Sequence, residues 1–162
     1  MKRKPARIAL VIEYAGWRKT PATLKLIRRA ARLALDRPPS GARAVTLLLS
    51  DDRRLKQLNL KFRHKNKPTN VLSFSSDDPD YLGDVAIALG VVRREARAQH
   101  KTVPAHAAHL AVHGILHLKG YDHAKASDRR AMEAEETLIL SRLGVADPYA
   151  PRPYTGGPKA VN

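Results

Sequence analysis

Apolar positions along the chain switch period several times, and each switch predicts an element. Ala6 to Glu13 and Arg43 to Ser50 read as strands, the second as the near-continuous apolar run of a buried one. Val71 to Ser75 and Asp84 to Leu89 are shorter strands. Thr20-Pro21 opens a helix to about Leu35 that carries Leu24, Ile27 and Ala31 on one face, and the proline-rich stretch from Asp36 to Gly41 ends it. Ser50-Asp51-Asp52 caps a short helix bearing Leu55, Leu58 and Phe62, with its acidic side chains at the favourable end of the dipole. A further helix spans Val91 to His100. Thr102 and Pro104 start the next one, and Ser127 starts the last, which stops near Gly144.

Strands and helices interleave without regular alternation, so the pattern predicts an α+β fold with a small mixed sheet rather than a doubly wound one. A chain of 162 residues suits a single domain with a sizeable core, here residues 1–144. From Val145 onward the composition shifts to Pro148, Pro151, Pro153, Gly156, Gly157 and Pro158, and residues 145–162 are expected to form a disordered tail.

Charge narrows the partners. Lysine and arginine number 30 against 15 aspartates and glutamates, a formal net charge of +15 with a pI near 10.6. Such a field attracts polyanions, nucleic acid first and an anionic membrane surface second. No segment approaches the roughly 20 apolar residues of a membrane span. The apolar stretch from Ile8 to Ile12 is too short for a secretory signal, so a cytoplasmic location is expected. There is no cysteine, which excludes disulfides, thiolate ligands and a cysteine nucleophile.

The chemistry concentrates in His113-Gly114-Ile115-Leu116-His117-Leu118-Lys119-Gly120-Tyr121-Asp122-His123. His113 and His117 lie four apart in an alanine-rich helical segment, so they project from one face about 6 Å apart along the axis. Gly120 can leave the helix with positive φ and return His123 to the same point. Three neutral imidazoles leave a fourth position open on Zn²⁺, and a water held there can have a pKa near 7. The spacing matches that of zinc proteases with H-E-x-x-H-x-x-G-x-x-H, but their glutamate base is replaced by Gly114, which argues against peptide hydrolysis. His109 shares the helical stripe about 12 Å from His117, too far to complete the pair, and reads as a substrate contact or a surface residue. His106, farther still, reads as bland. Asp122 reads as a partner of a ligand or a loop hydrogen-bonder rather than a base. A second segment, Phe62 to Phe74, places Arg63, Lys65 and Lys67 in a basic loop that enters a strand.

With both segments in view, the chain resembles the YbeY family of bacterial rRNA-maturation endoribonucleases. The signature H-G-x-L-H-L-x-G-Y-D-H runs without a gap from His113 to His123, R-x5-T-N/D-V-L-S-F runs from Arg63 to Phe74, and Leu82-Gly83-Asp84 is similar to the L-G-D element between them. The resemblance spans roughly Ala6 to Gly144. It implies a central, mostly parallel four-stranded sheet with helices around it and the metal helix buried beside the sheet. It also implies zinc, one ion per chain, on His113, His117 and His123, with Arg63 as the arginine needed for RNA cleavage, so that these four residues form the catalytic set. Substrate and partners follow from the same resemblance: single-stranded RNA, maturation of the 3′ end of small-subunit rRNA, ribosome quality control, the small ribosomal subunit and the GTPase Era. Two positions depart from the family pattern, Ser75 where proline is frequent and His64 where a small residue is common.

Two other readings remain open on the residues alone. Basic charge serves binding as well as cleavage, so the chain can be a ribosome-assembly factor with a structural metal. It can also be a metal-dependent hydrolase of another substrate, which a deep narrow pocket would favour over an open basic groove.

Overall fold

The near-continuous apolar run forms β2 (Ala44–Ser50), whose Val45, Leu47 and Leu49 are buried at the centre of a four-stranded sheet. β1 (Arg7–Ile12) pairs with it in parallel on one side, Leu10 opposite Leu47. On the other side β4 (Tyr81–Ala88) also runs parallel, and β3 (Val71–Ser75) closes the far edge antiparallel to β4, giving the order β1-β2-β4-β3. This is the mixed, mostly parallel α+β sheet expected. The computed structural model describes residues 7–38 and 44–151.

Among the described residues, five helices surround the sheet: α1 (Pro21–Asp36), α2 (Asp52–Arg63), α3 (Leu89–Ala98), α4 (Val103–Leu118) and α5 (Ala126–Arg142), with a 3-10 turn at Ala15–Lys19. Alternation sorts the sheet's two faces. Val45, Leu47, Leu49, Val85 and Ile87 face the main core, where they meet Ile27, Ala31 and Leu35 of α1 and Ala111, Ile115 and Leu116 of α4. On the opposite face Leu55 and Leu58 of α2 cover Leu72, Ala86 and Ala88.

Helix starts follow the expected caps where a side chain makes them. Asp51 accepts from the Arg54 amide at 2.9 Å, and Thr102 accepts from the Ala105 amide at 3.2 Å. α3 starts at Leu89 rather than Val91 because Asp52, on another helix, accepts from the Val91 amide at 3.0 Å. β4 begins at Tyr81, before the apolar run, because pairing with β2 and β3 carries the ladder outward through Gly83. Phe62, expected on the buried face of its helix, is 54% exposed and packs edge-on against Phe74 at 5.1 Å.

α4 approaches the sheet at Gly114. Ser73 on β3 donates to the Gly114 carbonyl at 3.0 Å, and a Cβ at position 114 would lie 2.5 Å from Val85 Cγ1. Contact of this kind, not only chemistry, excludes a glutamate there. Gly114→Ala is therefore expected to cost about 1–3 kcal/mol despite alanine's better helix propensity, because Val85 is fully buried and has little room to move. Urea unfolding of the two proteins checks this, and an unchanged midpoint would show that the sheet yields.

Beyond α4 the chain is tied back to the end of α1. The Lys119 ammonium is buried and donates to the carbonyls of Ala34 at 2.9 Å, Leu35 at 2.7 Å and Arg37. The Arg37 amide also donates to the Ala34 carbonyl, at 3.3 Å, and the ammonium serves the remaining acceptor capacity at the carbonyl end of the helix, where a cation favours the helix dipole. Tyr121 adds a hydroxyl bond to the Pro38 carbonyl at 3.2 Å. Of the expected tail, residues 145–151 are described and return along α5: Val145 packs on the core and Tyr149 reaches buried groups on α4 and α5. Residues 152–162 lie outside the described residues.

Candidate metal centre

His113 and His117 occupy successive turns at the C-terminal end of α4, as their spacing requires. The helix ends at Leu118, Gly120 adopts φ 98°, and the turn brings His123 back. Among the described residues, none beyond its immediate chain neighbours comes within 4 Å of where a Gly120 Cβ would stand, so glycine is required here by conformation rather than by space. The ring centroids of His113 and His117 are 4.7 Å apart, those of His117 and His123 4.8 Å, and those of His113 and His123 5.7 Å. One nitrogen from each lies within 4.8 Å of the other two. Asp122 accepts from the His123 amide at 2.7 Å and the Ala124 amide at 3.3 Å, so it is a loop hydrogen-bonder.

These donors fit a borderline transition metal. An all-imidazole set suits zinc and its neighbours and not the hard cations, which take oxygen ligands. Burial, reinforced by the neighbouring His113 and His123, pulls the His117 pKa below the usual histidine value. That favours the neutral imidazole, the form that binds metal.

The three rings stand at one side of an open cleft of about 480 Å³. The same cleft is lined by β3 and the loop before it, through Thr69, Asn70, Val71, Ser73 and Ser75, and by Arg63. Arg63 is the last residue of α2, and His64 caps that helix in the left-handed conformation at φ 58°, turning the chain sharply after the guanidinium. A residue without branching at Cβ tolerates that position. The Arg63 side chain is exposed and has no hydrogen bond or ion pair to other described residues. Asn70 is fixed from behind: its amide donates to Glu95 of α3 at 3.0 Å.

His109 departs from expectation. It is not the surface residue of the second alternative: only 13% exposed, it donates through Nε2 to Glu136 at 2.7 Å. One helical turn on, His113 Nδ1 lies 2.7 Å from the other Glu136 oxygen. The Tyr149 hydroxyl donates to Glu136 as well. Burial alone would push the Glu136 carboxyl up, but the bonds from His109, His113 and Tyr149 hold it at about 2. His106 is buried too and meets Glu95 at 3.1 Å. Glu136 carries no motif, yet it had a signal. Met132, Ile139 and Leu140 mark the buried stripe of α5, and position 136 falls within it. A carboxylate at a core position needs partners.

Fold and centre together define a class: open α+β proteins in which one helix and the turn after it converge three imidazoles, able to hold a metal ion, on a cleft beside the sheet edge. A family model described as Endoribonuclease YbeY matches residues 16–144. The chain is 43% identical to Endoribonuclease YbeY of Rhodopseudomonas palustris over 151 residues, covering 87% of this chain and 80% of that protein. It is 45% identical over 144 residues to the protein of that name from Gluconobacter oxydans, covering 86% of each. The fold also resembles the solution structure of TM1509 from Thermotoga maritima, at a TM-score of 0.55 and 21% identity over 92% of this chain and 99% of that one. This chain belongs to the endoribonuclease YbeY family.

Proposed function

We propose that the protein is a zinc-dependent endoribonuclease that cuts single-stranded RNA, acting in the 3′-end maturation of small-subunit rRNA and in ribosome quality control together with the small subunit and the GTPase Era. The observation that carries the cleavage chemistry is the convergence of His113, His117 and His123 on the same open cleft as Arg63. The three histidines would hold one Zn²⁺, which supplies Lewis acidity toward a phosphoryl oxygen and lowers the pKa of water. The chain's own residues do the rest. Arg63, unpaired among the described residues, presents a planar fork of donors to the scissile phosphate and to the negative charge that grows there. Lys65 and Lys67, exposed on the following loop, track the phosphates beyond it. The β3 wall orients the strand, held against α4 by the Ser73 bond to Gly114. An open cleft lined by Arg63, with exposed Lys65 and Lys67 on the loop that follows, fits a flexible polynucleotide better than a small metabolite.

The reading of a purely structural metal is less well supported. Structural zinc sites are closed by four protein ligands, whereas this cluster offers three, one of them exposed, at the mouth of a cleft. The test is cleavage of labelled single-stranded and duplex RNA with and without chelation, alongside metal analysis. Loss of cleavage from a protein that stays folded on chelation supports the enzyme. Unfolding on chelation with no cleavage beforehand overturns it.

Binding should also be strongly salt-dependent. Each phosphate contact on a single strand contributes a slope of about −0.7 in log K against log salt, so contacts from Arg63, Lys65 and Lys67 alone predict a slope of roughly −2. Anisotropy titrations of a labelled strand over a salt series measure it. A slope near zero would remove the basic loop from the interface.

A further inference from the structure

Glu136 is the one acidic side chain fully buried among the described residues, and its two oxygens serve different partners. Oε1 faces His113 Nδ1 at 2.7 Å. Oε2 accepts from His109 Nε2 at 2.7 Å and from the Tyr149 hydroxyl. We propose that Glu136, itself held by His109 and Tyr149, is a positioning residue that fixes His113 as its Nδ1–H tautomer and thereby commits Nε2 to the metal. The inference rests on the zinc reading above.

The tautomer follows from hydrogen-bond accounting. A carboxylate only accepts, so the His113 nitrogen that meets it must carry the proton, and in a neutral imidazole the lone pair then sits on Nε2. Nε2 is the nitrogen left to join His117 and His123. His109 obeys the same rule. Its Nδ1 is buried without a partner, which suits a bare lone pair, and its proton is on Nε2, facing Glu136. Tyr149 is placed by the turn after α5, where Asp147 accepts from the Tyr149 amide at 2.9 Å and from Thr137 on the helix at 3.2 Å. Glu136 therefore cannot swing toward or away from His113 without breaking bonds to two other residues. A carboxylate in this position orients the ring and makes its other nitrogen a better donor.

The same groups have a rival use. His109, His113 and Glu136 bring one donor atom each within 4.8 Å, a possible second metal cluster. A metal there would have to displace the protons that make both 2.7 Å contacts and would take His113 through Nδ1, turning it from His117 and His123. The positioning role uses every contact as it stands.

The experiment titrates Zn²⁺ into metal-stripped full-length protein against a chromophoric chelator, for wild type, Glu136→Gln and Tyr149→Phe. Unfolding of each metal-free protein is followed in parallel, and imidazole ¹⁵N spectra read the His113 tautomer. Glu136→Gln should bind one Zn²⁺ about 10- to 100-fold more weakly, since its amide sets an N–H against one of the two imidazole N–H groups. Tyr149→Phe keeps the ring and should lose a few-fold. His113 should be Nδ1-protonated in wild type and lose that preference in Glu136→Gln. Equal affinity in a folded Glu136→Gln overturns the role, as does an Nε2-protonated His113 in wild type, a result that stands even if the glutamine variant fails to fold. Two ions in wild type with one lost in Glu136→Gln would make Glu136 a ligand and also overturn it. A wild type that binds no Zn²⁺ fails the zinc reading itself, which is distinct from a wild type that binds and a variant that binds equally well.

Discussion

Arg63→Ala is expected to slow single-turnover cleavage of single-stranded RNA on the order of 10² to 10³-fold at saturating RNA, the scale of removing one donor aimed at developing charge. The side chain lines the same cleft as the histidines, at the end of a helix whose left-handed cap turns the chain away behind it. With no internal partner among the described residues, it is available to a phosphate. RNA affinity should fall far less, because Lys65 and Lys67 keep the local charge. Arg63→Lys should recover little, since an ammonium keeps the charge but loses the planar two-pronged geometry. Metal content should match wild type in both, arginine being no ligand. Rapid-quench cleavage at saturating RNA, a binding titration and metal analysis decide the matter. A wild-type rate once the alanine variant is saturated would make Arg63 a phosphate contact only.

His117→Ala is expected to reduce bound zinc from about one ion per chain to a small fraction of it, and to abolish cleavage with it. His117 lies between the other two rings, at 4.7 and 4.8 Å by centroid, so its loss leaves only the more distant pair. Two imidazoles make a poor tetrahedral site. The fold should survive. The inward side chains of this part of α4 are Ala111, Ile115 and Leu116, all fully buried, while His117 is only partly so. Elemental analysis and far-UV circular dichroism separate the two effects. Full zinc occupancy in the variant would sink the three-histidine assignment.

The part of the fold and site legible in the sequence is the part whose causes are local. His113, His117, Gly120 and His123 lie within one helix and the turn after it, so spacing and one glycine suffice to bring the rings together. Asp51 and Thr102 act on amides three residues away, and their helices start where the caps predict. Glu136 and Tyr149 meet His113 and His109 from another helix and from the segment after it, and Ser73 reaches Gly114 from the sheet. No periodicity in α4 reports those neighbours. The burial of His109 is not legible for this reason: distance along the helix excludes it from the three-ring cluster, and nothing nearby in sequence announces the carboxylate it meets. The early start of β4 has a similar origin, since β2 and β3 supply its ladder where its own side chains do not call for a strand.

The bond from Lys119 to the carbonyl end of α1 has a consequence for motion. Lys119 follows α4 directly and Tyr121 lies beyond Gly120, so both anchors of the returning turn are fastened to residues 34–38, more than eighty positions back along the chain. Fraying of the turn that carries His123 is coupled to the end of α1, because opening it takes the Lys119 ammonium away from the carbonyls there. Both should then open as one cooperative unit, and their amides should exchange with solvent together. Hydrogen exchange checks this directly. The Tyr121 amide, bonded to the Leu116 carbonyl, should be protected to the same degree as the last turn of α1, although a surface turn by itself would exchange far sooner. Fast exchange at Tyr121 beside a protected α1 would show that the turn moves independently of the helix that holds it.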